Sequence, residues 1–177
     1  MKLWAAVSSA WAGWMMILRG EPDWRENFSL TWPGLVTSLV IFLFCAFLAV
    51  AVASTYQGMP DIFGVVDALL AQVLWIVAVL VSVVLNARIL KSDIRLLDMM
   101  IPAIYLLVGY LLAGSLVNLL MPLAVLVLTA GLAYPFYRLG HVVAGWRPAN
   151  AAVFAVLTVV LLVGIPLALY MLSNPAL

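Results

Sequence analysis

The sequence predicts an all-α integral membrane protein, a single domain of five transmembrane helices preceded by an amphipathic helix at the membrane surface. Three observations carry that prediction. The 177 residues are 68% hydrophobic and only 8% charged, where soluble domains carry about 25% charged residues. Long uncharged runs recur, the longest being the 39 residues from Met99 to Tyr137. Finally, drawing five crossings places all eight Lys and Arg residues on one side. Lys2, Arg19 and Arg25 precede the first crossing, Arg88, Lys91 and Arg95 separate the second from the third, and Arg138 and Arg147 separate the fourth from the fifth. Basic residues concentrate in cytoplasmic loops, so the N-terminus is expected inside and the C-terminus outside, in a bacterial inner membrane.

Residues 3–18 read as a surface helix. Trp4, Val7, Trp11, Trp14 and Leu18 recur at spacings of three and four, which aligns them on one helical face. The stretch is short for a crossing and rich in tryptophan, which prefers headgroup depth. Ser8, Ser9 and Gly13 interrupt what would be the core of a cleavable signal, so this segment is expected to stay in the mature chain. The connector from Arg19 to Glu26 holds three acids and two bases around Trp24 and is expected to form a local ion-pair cluster.

A crossing needs about 20 predominantly apolar residues. Residues 33–53 meet this without a charge, and residues 62–87 carry only Asp67. The 39-residue run is too long for one crossing. Gly114-Ser115 is the expected break, giving spans over 99–113 and 116–137, and residues 150–172 make the fifth. Treating the run as one crossing would divide the basic residues between both faces, so the charge pattern selects five.

Composition also bounds the chemistry. A net charge of +1 gives no clustered basic footprint for nucleic acid. With one histidine, His141, and one cysteine, Cys45, no metal or haem ligand set is expected. No nucleophile triad or phosphate loop is visible. No cofactor and no enzymatic activity are expected.

Two regions remain as candidate sites. At the basic side, Arg88, Lys91 and Arg95 share a face if the second span continues as helix beyond the membrane. With Trp11, Trp14 and Trp24 they form the expected lipid- or partner-binding surface. At the opposite side, Asp67 is the lone ionisable residue within a span. With Gln72 one turn deeper, and with Asn118, it outlines an intramembrane polar site. The bland reading of Asp67, or of Asp61, is a carboxylate satisfying helix-end amides. Gly109 and Ala113 have the small-residue spacing that lets helices approach closely; such faces permit a homo-oligomer.

The layout resembles the Yip family of small membrane proteins. Asp61-Ile62-Phe63-Gly64 is similar to that family's Asp-Leu-Tyr-Gly signature, and Gly109-Tyr110 to its Gly-Tyr. In the family the aspartate motif precedes the first span, whereas here it follows one. The resemblance implies a non-enzymatic membrane organiser that engages membrane lipids or a protein partner at the cytoplasmic face. The other reading is a small transporter, or the membrane subunit of one, using Asp67 and Gln72 as an outward-facing site.

Overall fold

The computed structural model describes residues 3–58 and 60–173. Lys2 and the tail beyond Ser173, both used in the topology argument, lie outside the described residues. Those described form seven α-helices and short connecting turns, with no strand. Four helices are long and apolar enough to cross a membrane: α2 (Trp32–Gln57), α3 (Ile62–Ile89), α4 (Leu96–Leu120) and α7 (Pro148–Ser173).

Their starts follow from local chemistry. Thr31 caps α2 by accepting a hydrogen bond from Gly34 N–H at 3.2 Å, with Pro33 in the first turn where its missing N–H costs nothing. Asp61 caps α3, its Oδ1 accepting from Gly64 N–H at 2.8 Å. The Asp61-Ile62-Phe63-Gly64 segment therefore has a local task, satisfying a free amide at a helix start.

The expected break at Gly114-Ser115 does not occur. Helix α4 runs through both residues to Leu120. Ser115 Oγ donates to the Leu111 carbonyl at 2.7 Å, which removes its competition with the helix backbone. The turn falls instead at Met121–Leu123, where Pro122 has no N–H to continue the ladder.

After this turn the helical path comes in pieces, α5 (Ala124–Gly131), α6 (Ala133–Arg138) and a π-turn over Leu139–Val143. Pro135 offers no N–H to the Gly131 carbonyl, which sits at the junction between α5 and α6. The π-turn carries Gly140 hard against the next helix. A Cβ there would lie 3.1 Å from Phe154 and 3.2 Å from Trp146.

Helix α4 is the centre of the bundle. Of its most apolar window 44% is buried, against 22–28% for the other three long helices. It packs along α2 and also touches α1, α3 and α5. Helix α7 packs on α3 and α6. Ser82 and Thr158 join α3 to α7 through a fully buried hydroxyl pair at 2.6 Å, and Thr158 Oγ1 in turn donates to the Phe154 carbonyl. That direction makes Ser82 the donor of the pair. Thr158→Val strands this donor and is expected to cost about 0.6–1.7 kcal/mol, the range of interhelical hydrogen bonds in membranes. Chemical unfolding in mixed micelles measures the loss, and Thr158→Ser should recover most of it.

Helix α1 (Leu3–Arg19) packs beside α4, with Trp14 at Pro102 near the start of α4 and Val7, Ala10 and Trp11 sharing a groove with Gly109 and Leu112 farther along it. Ala6, Ala10, Trp14 and Ile17 form its buried face. The expected aromatic stripe is thus split: Trp14 turns into the bundle, whereas Trp4 and Trp11 stay exposed. Gly13 lets α1 lie on Phe28, which occupies the space a Cβ would take.

Candidate functional site

Arg25, Arg88, Lys91, Arg95, Arg138 and Arg147, all expected on one side of the membrane, lie at helix ends or in the turns between helices, and Arg19 ends α1. Arg88 lies in the last turn of α3, which stops at Ile89. Lys91 adopts a left-handed backbone, φ +48°, and Arg95 is the N-cap of α4. The three do not share a helix face, because the helix ends before Lys91. They flank one tight turn, closed by the Ser92 N–H bond to the Ala87 carbonyl. All three are exposed, and none makes an ion pair among the described residues.

The connector behaves differently from the local cluster expected. Arg19 pairs with Glu21 at 3.7 Å, but Arg25 reaches away to Asp98 at 3.1 Å. The Asp98 side chain is 7% exposed, in the first turn of α4, where the helix dipole favours an anion. Its Oδ1 is buried without a hydrogen-bond partner, so the Arg25 contact is its principal compensation. Arg25 also lies over the Trp24 ring at 5.3 Å. Arg138 donates from Nε to the Ile17 carbonyl at 3.3 Å, at the negative end of α1. His141 Nδ1 donates to the Trp146 carbonyl at 2.9 Å, and its ring stacks on Tyr137.

Burial corrects part of the expected surface. Trp24 is 3% and Trp14 7% exposed. The first packs edge-on to Phe28, and the second donates from Nε1 to the Pro102 carbonyl at 2.9 Å. Both are core residues, unavailable to a docking partner. Trp11, at 70% exposed, remains at the surface, as do Trp4 and Trp32.

At the opposite end, α2, α3, α4 and the start of α5 line a half-open cavity of about 580 Å³. Gln72 and Asn118 both line it, so the structure brings together two of the three residues expected of a polar site. Asp67 is not among the lining residues; it sits on an exposed face of α3. Five residues separate it from Gln72, about 500° around a helix, so the two side chains diverge by well over a quarter turn. Gly109 and Ala113 are likewise not packed against a spanning helix; they face a groove beside α1.

No family model, curated protein or solved structure matches the chain.

Several cavity residues escaped the sequence reading. Ser54, Trp75, Tyr110 and Ser115 join Gln72 and Asn118 in the lining. The sequence did hold a signal: Trp75 lies deep in a span, away from the belt depth tryptophan prefers. In the structure its ring meets Tyr110 edge-on at 5.2 Å between centroids. Asp98 was also missed, because its partner lies 73 positions upstream at Arg25.

Proposed function

We propose that this chain is a non-enzymatic integral membrane protein that binds anionic lipid headgroups, or an acidic protein partner, at its basic end. The observation that carries the reading is the turn between α3 and α4, where Arg88, Lys91 and Arg95 are exposed and free of ion pairs. Cations held at membrane depth without protein partners are available to phosphate groups, at about 1 kcal/mol each. Asp93, exposed in the same turn, tempers the local charge without neutralising it.

In this reading the basic end faces the cytoplasm of a bacterium. The fourth crossing is composite: the Pro122 turn, α5 and α6 cover residues 122–138, about 25 Å at helical rise, with Arg138 at the cytoplasmic end. Helix α1 lies in the leaflet surface with Trp4 and Trp11 toward lipid. The resemblance to the Yip family supports the same role, membrane or complex organisation. A second reading, a small transporter or transporter subunit, is favoured by the cavity around Gln72 and Asn118.

Native mass spectrometry of the protein released from nanodiscs tests the first reading. Phosphatidylglycerol should be retained in preference to phosphatidylcholine. The double variant Arg88→Gln/Lys91→Gln should weaken that preference about thirtyfold, from two contacts of about 1 kcal/mol. Unchanged retention in the variant would refute lipid binding at this turn. A cysteine placed at Ser92 should react with an impermeant maleimide only from the cytoplasmic side; labelling from outside would invert the topology.

A further inference from the structure

The cavity at the end remote from the basic residues has a chemistry of its own. Its hydroxyl hydrogens are turned away from the space. Ser54 Oγ donates to the Ala51 carbonyl and Ser115 Oγ to the Leu111 carbonyl, each at 2.7 Å. Thr129 Oγ1 donates to the Val125 carbonyl at 2.8 Å, so Tyr110 is the donor in its 2.6 Å bond to Thr129. What these hydroxyls leave for a ligand is lone pairs. Gln72 Oε1 adds another acceptor, buried and without a partner. The donors in the lining, the amide nitrogens of Gln72 and Asn118 and the Trp75 indole, are all neutral.

Formal charge at this end has one sign. Asp61 stands at the rim, its carboxylate beside Gly64, which lines the cavity, and Asp67 lies on the outer face of α3. Every described Lys and Arg belongs to the other end of the bundle. The C-terminal turns of α2 and α4 also point here, bringing partial negative charge. Opposing them are the start of α3, already answered by the Asp61 cap, and the start of the short α5. The uncapped start of α5 is the one feature here that favours an anion; the carboxylates and the two helix C-termini disfavour it. The Trp75 and Tyr110 rings supply aromatic wall, which attracts cations.

We infer that this cavity binds a small organic cation, a primary ammonium on a compact apolar body, with Gln72 Oε1 and the Ser54 and Ser115 oxygens accepting from the ammonium. The volume of about 580 Å³ falls within the ~300–1,000 Å³ of small-molecule sites. The site concerns binding alone; it does not depend on the lipid-binding reading of the basic end or on passage of the ligand through the bundle.

The test uses the full chain in zwitterionic nanodiscs, titrated calorimetrically with butylammonium, 1-butanol and butanoate against empty discs. Butylammonium should bind saturably and more tightly than either analogue. Gln72→Glu, which adds a carboxylate at the buried acceptor, should tighten butylammonium binding about tenfold, as expected when a hydrogen bond gains a charged partner. A gain of affinity cannot come from misfolding. Gly114→Leu should abolish binding by filling the space; its Cβ alone makes only ordinary contacts, 3.9 Å from Leu128 and 4.0 Å from Tyr110. Absence of saturable binding overturns the inference. So does 1-butanol binding as tightly as butylammonium, which would make the site a neutral polar pocket. Affinity unchanged in both variants also overturns it, since the ligand would then sit elsewhere.

Discussion

Replacing Trp14 with Ala is expected to release α1 from the bundle while leaving the spanning helices folded. Trp14 is the largest side chain on the buried face of α1, and its indole N–H reaches the Pro102 carbonyl at 2.9 Å. Truncating a buried Trp costs about 3–5 kcal/mol in soluble cores. Here lipid can cover part of the exposed surface, so the lower end of that range applies. The remaining anchors of α1 are Ala6, Ala10, the fully buried Ile17, the seat of Gly13 on Phe28 and the Arg138 bond to its last turn. Hydrogen exchange reads the outcome directly. Amides of residues 7–19 should lose protection in Trp14→Ala, whereas those at the core of α4 should not. Trp14→Phe keeps an aromatic ring, though a smaller one, and drops the hydrogen bond, which alone is worth about 1 kcal/mol. Unaltered protection across α1 in the Ala variant would show that the helix is held by something other than this contact.

Gly34→Ala is expected to be the second most damaging single change. The Ser29 carbonyl oxygen occupies the space that a Cβ on Gly34 would need. A backbone oxygen cannot rotate aside, so residues 29–31 must shift. That shift removes the Thr31 cap, worth about 1 kcal/mol, in addition to about 1–3 kcal/mol of overpacking. The sum, about 2–4 kcal/mol, should appear as a lowered unfolding midpoint in mixed micelles. Gly109→Ala is the matched control, because a Cβ there meets nothing within 4 Å. Equal midpoints for the two variants would contradict the close approach at Gly34.

How far these features were legible in the sequence differs from one residue to the next. Helix starts at Thr31 and Asp61 carry short-range signals, a capping side chain followed by proline or glycine, and local signals survive folding. The Gly114-Ser115 pair misled because both residues break helices in water. Within an apolar helix Ser115 bonds its own Leu111 carbonyl, and Gly114 leaves room for the cavity wall. Arg88, Lys91 and Arg95 have helical spacing, but nothing in a lysine announces the left-handed backbone that Lys91 adopts. The pairing of Gln72 with Asn118 followed from polarity inside apolar spans. The exclusion of Asp67 required the rotation of α3 about its axis, which neighbouring helices set. Likewise no spacing rule connects Arg25 to Asp98, since tertiary contact alone brings them together.

The central position of α4 bears on how the chain enters a bilayer. This helix is the least apolar of the four long ones and carries Asp98 and Pro102 near its leading end. Taken alone it would partition into lipid least readily of the four. Its neighbour along most of its length, α2, is synthesised earlier, so a partner already stands in the membrane when α4 leaves the ribosome. The Arg25 side chain that meets Asp98 precedes α2, and it too is in place by then. Insertion of this chain is thus ordered by its own sequence: the helix that most needs company is translated after the surfaces that receive it.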